Sequence, residues 1–159
     1  MMVSNSFLMN QPNLIVTWSM KSILLASILM AGYSAVSQNQ EQIARIEFSS
    51  LTRGYQEHVV FTIDSMKHTR THAGHPKVSK ARALKKSEWE DMLKIAHKID
   101  LKGMSELKSP TMKRSFDGAR HSTITVTTNS NQSYSHCFDD ENPHEKLKGL
   151  MRIIVKQRD

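Results

Sequence analysis

Residues 121–139, HSTITVTTNSNQSYSHCFD, decide how the chain is read. Ile124 and Val126 alternate with Thr123, Thr125 and Thr127. Asn129, Ser130 and Asn131 turn the chain, and Tyr134, His136 and Phe138 then alternate with Ser133, Ser135 and Cys137. A period of two with the bulky groups on one side is what a half-buried strand requires, so the segment predicts a β-hairpin. If the turn pairs Thr128 with Gln132, His121 stands opposite Asp139, and Asp117 lies just beyond the same open end of the hairpin.

The same alternation occurs upstream. Ala44, Ile46 and Phe48 alternate with Arg45 and Glu47, and Tyr55, Val59, Phe61 and Ile63 recur at even spacing, with Thr52-Arg53-Gly54 as the reversal between the two runs. Asp64-Ser65 offers a second turn and residues 66–72 a weak third strand, which Ala73-Gly74-His75-Pro76 breaks. Helical signatures follow each hairpin. Ser87 with Glu90 reads as a capping box for a helix over residues 88–98, with Trp89, Met92, Leu93 and Ala96 on one face. Residues 101–107 add a short helical turn that Ser109-Pro110 stops. Asn142 as N-cap, Pro143 at the first helical position and Glu145 open a last helix whose stripe is Leu147, Leu150, Met151 and Ile154. The order ββ(β)α-ββα predicts an α+β fold, an antiparallel sheet of four to five strands covered on one face by two helices.

Charge is distributed unevenly. Among the 159 residues, all fifteen acids and all eight histidines lie beyond residue 40, and residues 1–40 carry one charged side chain, Lys21. Met20-Lys21, the apolar stretch 23–32, and Ala35-Val36-Ser37 before Gln38 have the order of a charged start, a greasy middle and a small-residue cleavage site. This assigns 1–19 to a mis-assigned N-terminal extension, 20–37 to a signal peptide forming an N-terminal signal helix, and 38–159 to a single α+β domain, exported to the periplasm or secreted. The uninterrupted apolar run is shorter than the roughly 20 residues that span hydrocarbon, so membrane contact is expected only through an uncleaved signal segment. The single cysteine, Cys137, excludes an internal disulfide and a thiolate zinc site.

The net charge of +7 concentrates between Ser65 and Ser87, where Lys67, Arg70, Lys77, Lys80, Arg82, Lys85 and Lys86 stand without any acid. Such a stretch fits contact with an anionic cell-envelope component, or a solvated edge strand that uses lysines to resist pairing. No aromatic residue is interleaved with the cations, which disfavours nucleic acid. His68, His72 and His75 have helical metal-site spacing in a non-helical context. On a strand the first two would stand about 13 Å apart, too far to share an ion. The better constellation is Arg114, Asp117 and Asp139 at one rim of the hairpin. There an acid pair with a guanidinium suits acid/base chemistry or an oxygen-liganded cation, and equally suits a turn at Asp117-Gly118 with Asp139 bonding loop N–H groups. No nucleophile motif, phosphate loop or metal-ligand string accompanies the acids, so no cofactor or metal is expected.

Ser50-Leu51-Thr52-Arg53-Gly54, Trp89, Ser109-Pro110 with Arg114, Asp117-Gly118-Ala119, Phe138-Asp139 and Asn142-Pro143, taken in order, resemble a family of small exported proteins, often lipoproteins, from Bacteroidota-type bacteria, to which no activity is assigned. The resemblance covers about residues 43–155. It maps a Thr-Arg-Gly element to Thr52, Arg53 and Gly54, an Asp-Gly-Ala element to Asp117, Gly118 and Ala119, and a Phe-Asp element to Phe138 and Asp139. Relatives often continue the last element with His-Gly and a double proline, where this chain has Asp140-Glu141-Asn142-Pro143-His144, and this chain lacks the lipobox cysteine. The expected function is an exported, non-enzymatic binding or interaction domain with Arg53, Gly54, Arg114, Asp117, Gly118, Phe138 and Asp139 as contact or anchoring residues. The alternative is an enzyme or cation-dependent site built on Asp117 and Asp139, acting on a cell-envelope substrate.

Overall fold

The computed structural model describes residues 41–159, so the extension and the signal segment lie outside the described residues. Six strands, β1 (Ile43–Thr52), β2 (Tyr55–Phe61), β3 (Ser65–His72), β4 (Val78–Ala83), β5 (His121–Thr128) and β6 (Ser133–Asp139), form one sheet in the order β4-β3-β2-β1-β5-β6. All neighbours are antiparallel. Helix α1 (Lys86–Ala96) follows β4, and α2 (Glu145–Arg158) follows β6, with 3₁₀ turns at Met104–Glu106 and Lys113–Phe116 between α1 and β5. The fold is α+β as expected, but the order is ββββα-ββα and the sheet is wider than four to five strands. The additional strand, β4, is solvent-exposed along most of its length and carries Lys80 and Arg82 at inward positions, so it offers no apolar alternation to read.

Strand parity sorts the side chains onto two faces. Ile46, Phe48, Val59, Phe61, Met66, Ile124, Val126 and Phe138 point to one side, where they meet Trp89, Met92 and Ala96 of α1 and Leu147, Leu150 and Ile154 of α2 in one buried cluster. Phe48 on the central strand stacks against Phe138 with ring centroids 6.4 Å apart. Gly149 lets the two helices approach, since a Cβ there would lie 3.3 Å from Ile95. The turn between β1 and β2 is two residues, Arg53 and Gly54, and Gly54 supplies its φ of +77°. The hairpin β5–β6 has the expected register, His121 opposite Asp139, with Thr128 N–H donating to Gln132 O at 2.9 Å.

Four local expectations are corrected. Ile63 is 68% exposed, because β2 ends at Phe61 and Thr62 N–H bonds back to Ser65 O at 2.9 Å to turn the chain. A register shift between Ile43 and Arg45 buries Ile43 rather than Ala44. Helix α1 is capped not by Ser87 and Glu90 but by Glu88, whose carboxylate accepts from Lys85 N–H at 2.8 Å, and the helix stops at Ala96. In α2 the cap is His144, whose Nδ1 accepts from Lys146 N–H at 3.3 Å; Asn142 is held instead in a bridge to Asp139, and Pro143 stands before the helix.

Phe48 touches both the sheet core and the Phe138 ring and has no solvent exposure. Phe48→Ala is expected to cost about 3–5 kcal/mol in urea unfolding, with the midpoint shifted and the slope unchanged.

Candidate functional site

Asp139 ends β6, and the chain from Ser109 to Gly118 wraps over its carboxylate. The side chain is 3% exposed, and both oxygens are occupied. Oδ2 accepts from Thr111 Oγ1 at 2.5 Å and from Lys113 N–H at 2.6 Å. Oδ1 accepts from the Arg114 guanidinium at 2.7 Å and from Arg114 N–H at 3.4 Å. The same Arg114 nitrogen donates to Ser109 Oγ at 3.1 Å and Thr111 O at 3.2 Å. Burial pushes the Asp139 carboxyl up, but the bonds from Thr111, Arg114 and Lys113 outweigh it and lower its pKa to about 2.

Asp117 is used differently. It sits in the left-handed region at φ 56°, closing the 3₁₀ turn, with Gly118 N–H donating to Lys113 O at 3.0 Å. Its side chain is 81% exposed and pairs at 3.3 Å with Arg53, itself 92% exposed. The structure thus brings Arg114 to Asp139 and Arg53 to Asp117, and no hydrogen bond joins the two carboxylates. Phe138 belongs to the core. The loop that surrounds Asp139 also displays two apolar side chains that sequence periodicity does not mark, Met112 and Phe116, the latter 84% exposed. An aromatic residue between Arg114 and Asp117-Gly118 is the one signal the sequence offers for them.

The basic stretch does not form one surface. Lys67 and Lys77 line a shallow groove of about 480 Å³ with Gln56, His58 and Thr69 on the sheet face away from the helices. Arg70, Lys80 and Arg82 project to the helix side, where Arg82 is engaged by Glu88 at 3.0 Å and by Gln157 Oε1 at 2.5 Å. Lys85 precedes α1, and Lys86 faces Glu90 at 3.9 Å. His72 and His75 meet edge to face at 5.5 Å, whereas His68 is buried against Glu57. Among the described residues no three His, Cys, Asp or Glu side chains gather as a metal site, and no helix is long and apolar enough to cross a membrane.

A second polar cluster escapes pattern reading. Glu57, His68, Arg158, Glu141 and Arg120 form a chain of contacts on the helix side of the sheet. Its sequence signal is parity: Glu57 occupies the inward series of Tyr55, Val59 and Phe61, and His68 that of Met66.

Two substitutions separate anchor from surface. Asp139→Asn leaves Arg114 buried without its charge partner and is expected to cost about 3 kcal/mol. Because the folded pKa of Asp139 lies below the unfolded value, its contribution, about 2 kcal/mol, is complete above about pH 4 and is lost as pH falls through about 2. Acid titration of unfolding should show that slope in the parent chain and not in the variant. Arg53→Ala is expected to change stability by less than about 0.5 kcal/mol. Compared with protein-family models and with curated proteins, the chain matches none.

Proposed function

We propose that residues 38–159 act outside the cytoplasm as a non-enzymatic binding or interaction domain, and that the loop 109–118 with Arg53 is its contact surface. The observation that carries this reading is a mismatch. The 3₁₀ turn Lys113–Phe116 contributes no buried residue to the core, yet the loop is fixed by a buried ion pair and a set of short hydrogen bonds to Asp139. What that anchoring secures is shape, and the shape presents Phe116 and Met112 to solvent beside Lys113, Arg53 and Asp117. A pre-ordered loop displaying an aromatic side chain with charged neighbours suits recognition, because little ordering entropy is lost on contact. The partner class is a protein or an anionic component of the cell envelope.

Export rests on the leader pattern of residues 20–37 and on the resemblance of residues 43–155 to small exported proteins. An acid pair made of Asp117 and Asp139 finds no support in the geometry, since Asp139 already accepts four hydrogen bonds and Asp117 stands in solvent beside Arg53.

Co-sedimentation with a cell-envelope fraction of the source organism tests the contact surface. Phe116→Ser is expected to reduce the bound fraction at least about five-fold while unfolding within about 0.5 kcal/mol of the parent; binding undiminished in this variant would refute the reading. Mass analysis of the protein recovered outside the cytoplasm is expected to show Gln38 as its first residue.

A further inference from the structure

The second polar cluster is more elaborate than packing requires. Glu57 on β2 and His68 on β3 have side chains 3% and 7% exposed, with His68 Nε2 2.8 Å from Glu57 Oε1. The other Glu57 oxygen accepts from Arg158 at 3.4 Å, and Arg158 donates to Glu141 at 2.9 Å. Apolar groups of the same size often serve stability as well or better than a buried ionic array, so stability alone does not account for this one.

The Glu57 carboxylate accepts only, so His68 Nε2 carries the proton between them and Nδ1 is the free nitrogen. Nδ1 has no hydrogen-bond partner among the described residues. His68 lines a cavity of about 600 Å³ between β3, β4 and the end of α2, with Lys80, Arg82, Gln157, Arg158 and Asp159. Lys80 stands directly across from His68 in the β3–β4 ladder, with Arg82 and Arg70 at adjacent inward positions. Cations gathered on one patch of a ladder repel unless an anion joins them. Arg82 and Arg158 have partners, whereas Lys80 is exposed and has none among the described residues. One anion already answers this field. The Asp159 carboxylate bonds Arg158 Nε at 3.0 Å while remaining 66% exposed. Its carboxyl is held below the usual range by Arg158, with His68 and Arg70 adding from further away.

We infer that this cavity is a binding site for a small oxyanion, a carboxylate or a phosphate-like group, held by Lys80 Nζ beside the His68 ring and competing with the Asp159 side chain. The charged groups around the ring are Glu57 from β2, Arg70 from its own strand, Lys80 and Arg82 from β4, and Arg158 and Asp159 from the end of α2.

The test titrates the full chain with sulfate and, separately, with succinate at constant ionic strength, following the His68 ring nitrogens and the Lys80 and Arg158 amides by NMR. A saturable shift centred on these nuclei is expected with at least one of the two anions. Lys80→Ala should weaken binding about ten-fold and Asp159→Asn should tighten it, while Lys77→Ala, on the opposite face of the sheet, should leave it unchanged. Preference for sulfate marks a phosphate-like ligand and preference for succinate a carboxylate; either supports the site. No saturable shift with either anion up to roughly 50 mM, or equal weakening by Lys77→Ala and Lys80→Ala, overturns it.

Discussion

Strand β1 is hydrogen-bonded to β2 along one side and to β5 along the other, so the inward direction of Ile46 and Phe48 fixes which side chains of both halves of the sheet meet the helices. A slip of one residue on either side would turn Phe61 or Ile124 into water and a hydroxyl or charge into the core. The two candidate sites inherit their geometry from this register. Asp139 reaches the loop 109–118 because it faces His121, and Glu57, itself opposite Arg70, reaches His68 diagonally because Val59, two residues along, faces His68.

The hairpins are legible because their signal is redundant. Alternation gives the faces, and the Asn129–Asn131 turn gives the register that places His121 opposite Asp139. What escapes is whatever lacks apolar contrast. Strand β4 is an edge, so only backbone pairing defines it, and its lysine and arginine read as loop. The start of α1 is ambiguous for a different reason. Lys85 with Glu88 and Ser87 with Glu90 have the same spacing, and the choice depends on how the chain leaves β4, which no local pattern encodes. Phe116 has no periodic signal, because an exposed side chain in an aperiodic loop obeys no repeat. Glu57 and His68 are readable in retrospect as polar residues at apolar parity.

The two carboxylates singled out from the sequence show how spacing and environment differ as guides. Both lie at one rim, yet Asp139 is buried and saturated with donors while Asp117 is exposed with one solvent-facing cation. A buried carboxylate that accepts backbone N–H groups behaves as part of the scaffold. The chemistry open to solvent is instead at Phe116 on one loop and at Lys80 on the edge strand.

Glu57 and Arg158 are 101 residues apart along the chain, and Arg114 and Asp139 close a second long loop. The first link exists only once the last helix has been made and docked, the second only once β6 is complete, and β1 lacks its second neighbour until residues 121–128 arrive. Folding is therefore governed by non-local contacts and reaches completion late in synthesis. On the proposed export route that delay has a use, because an incomplete chain with its sheet still open remains threadable until it has crossed.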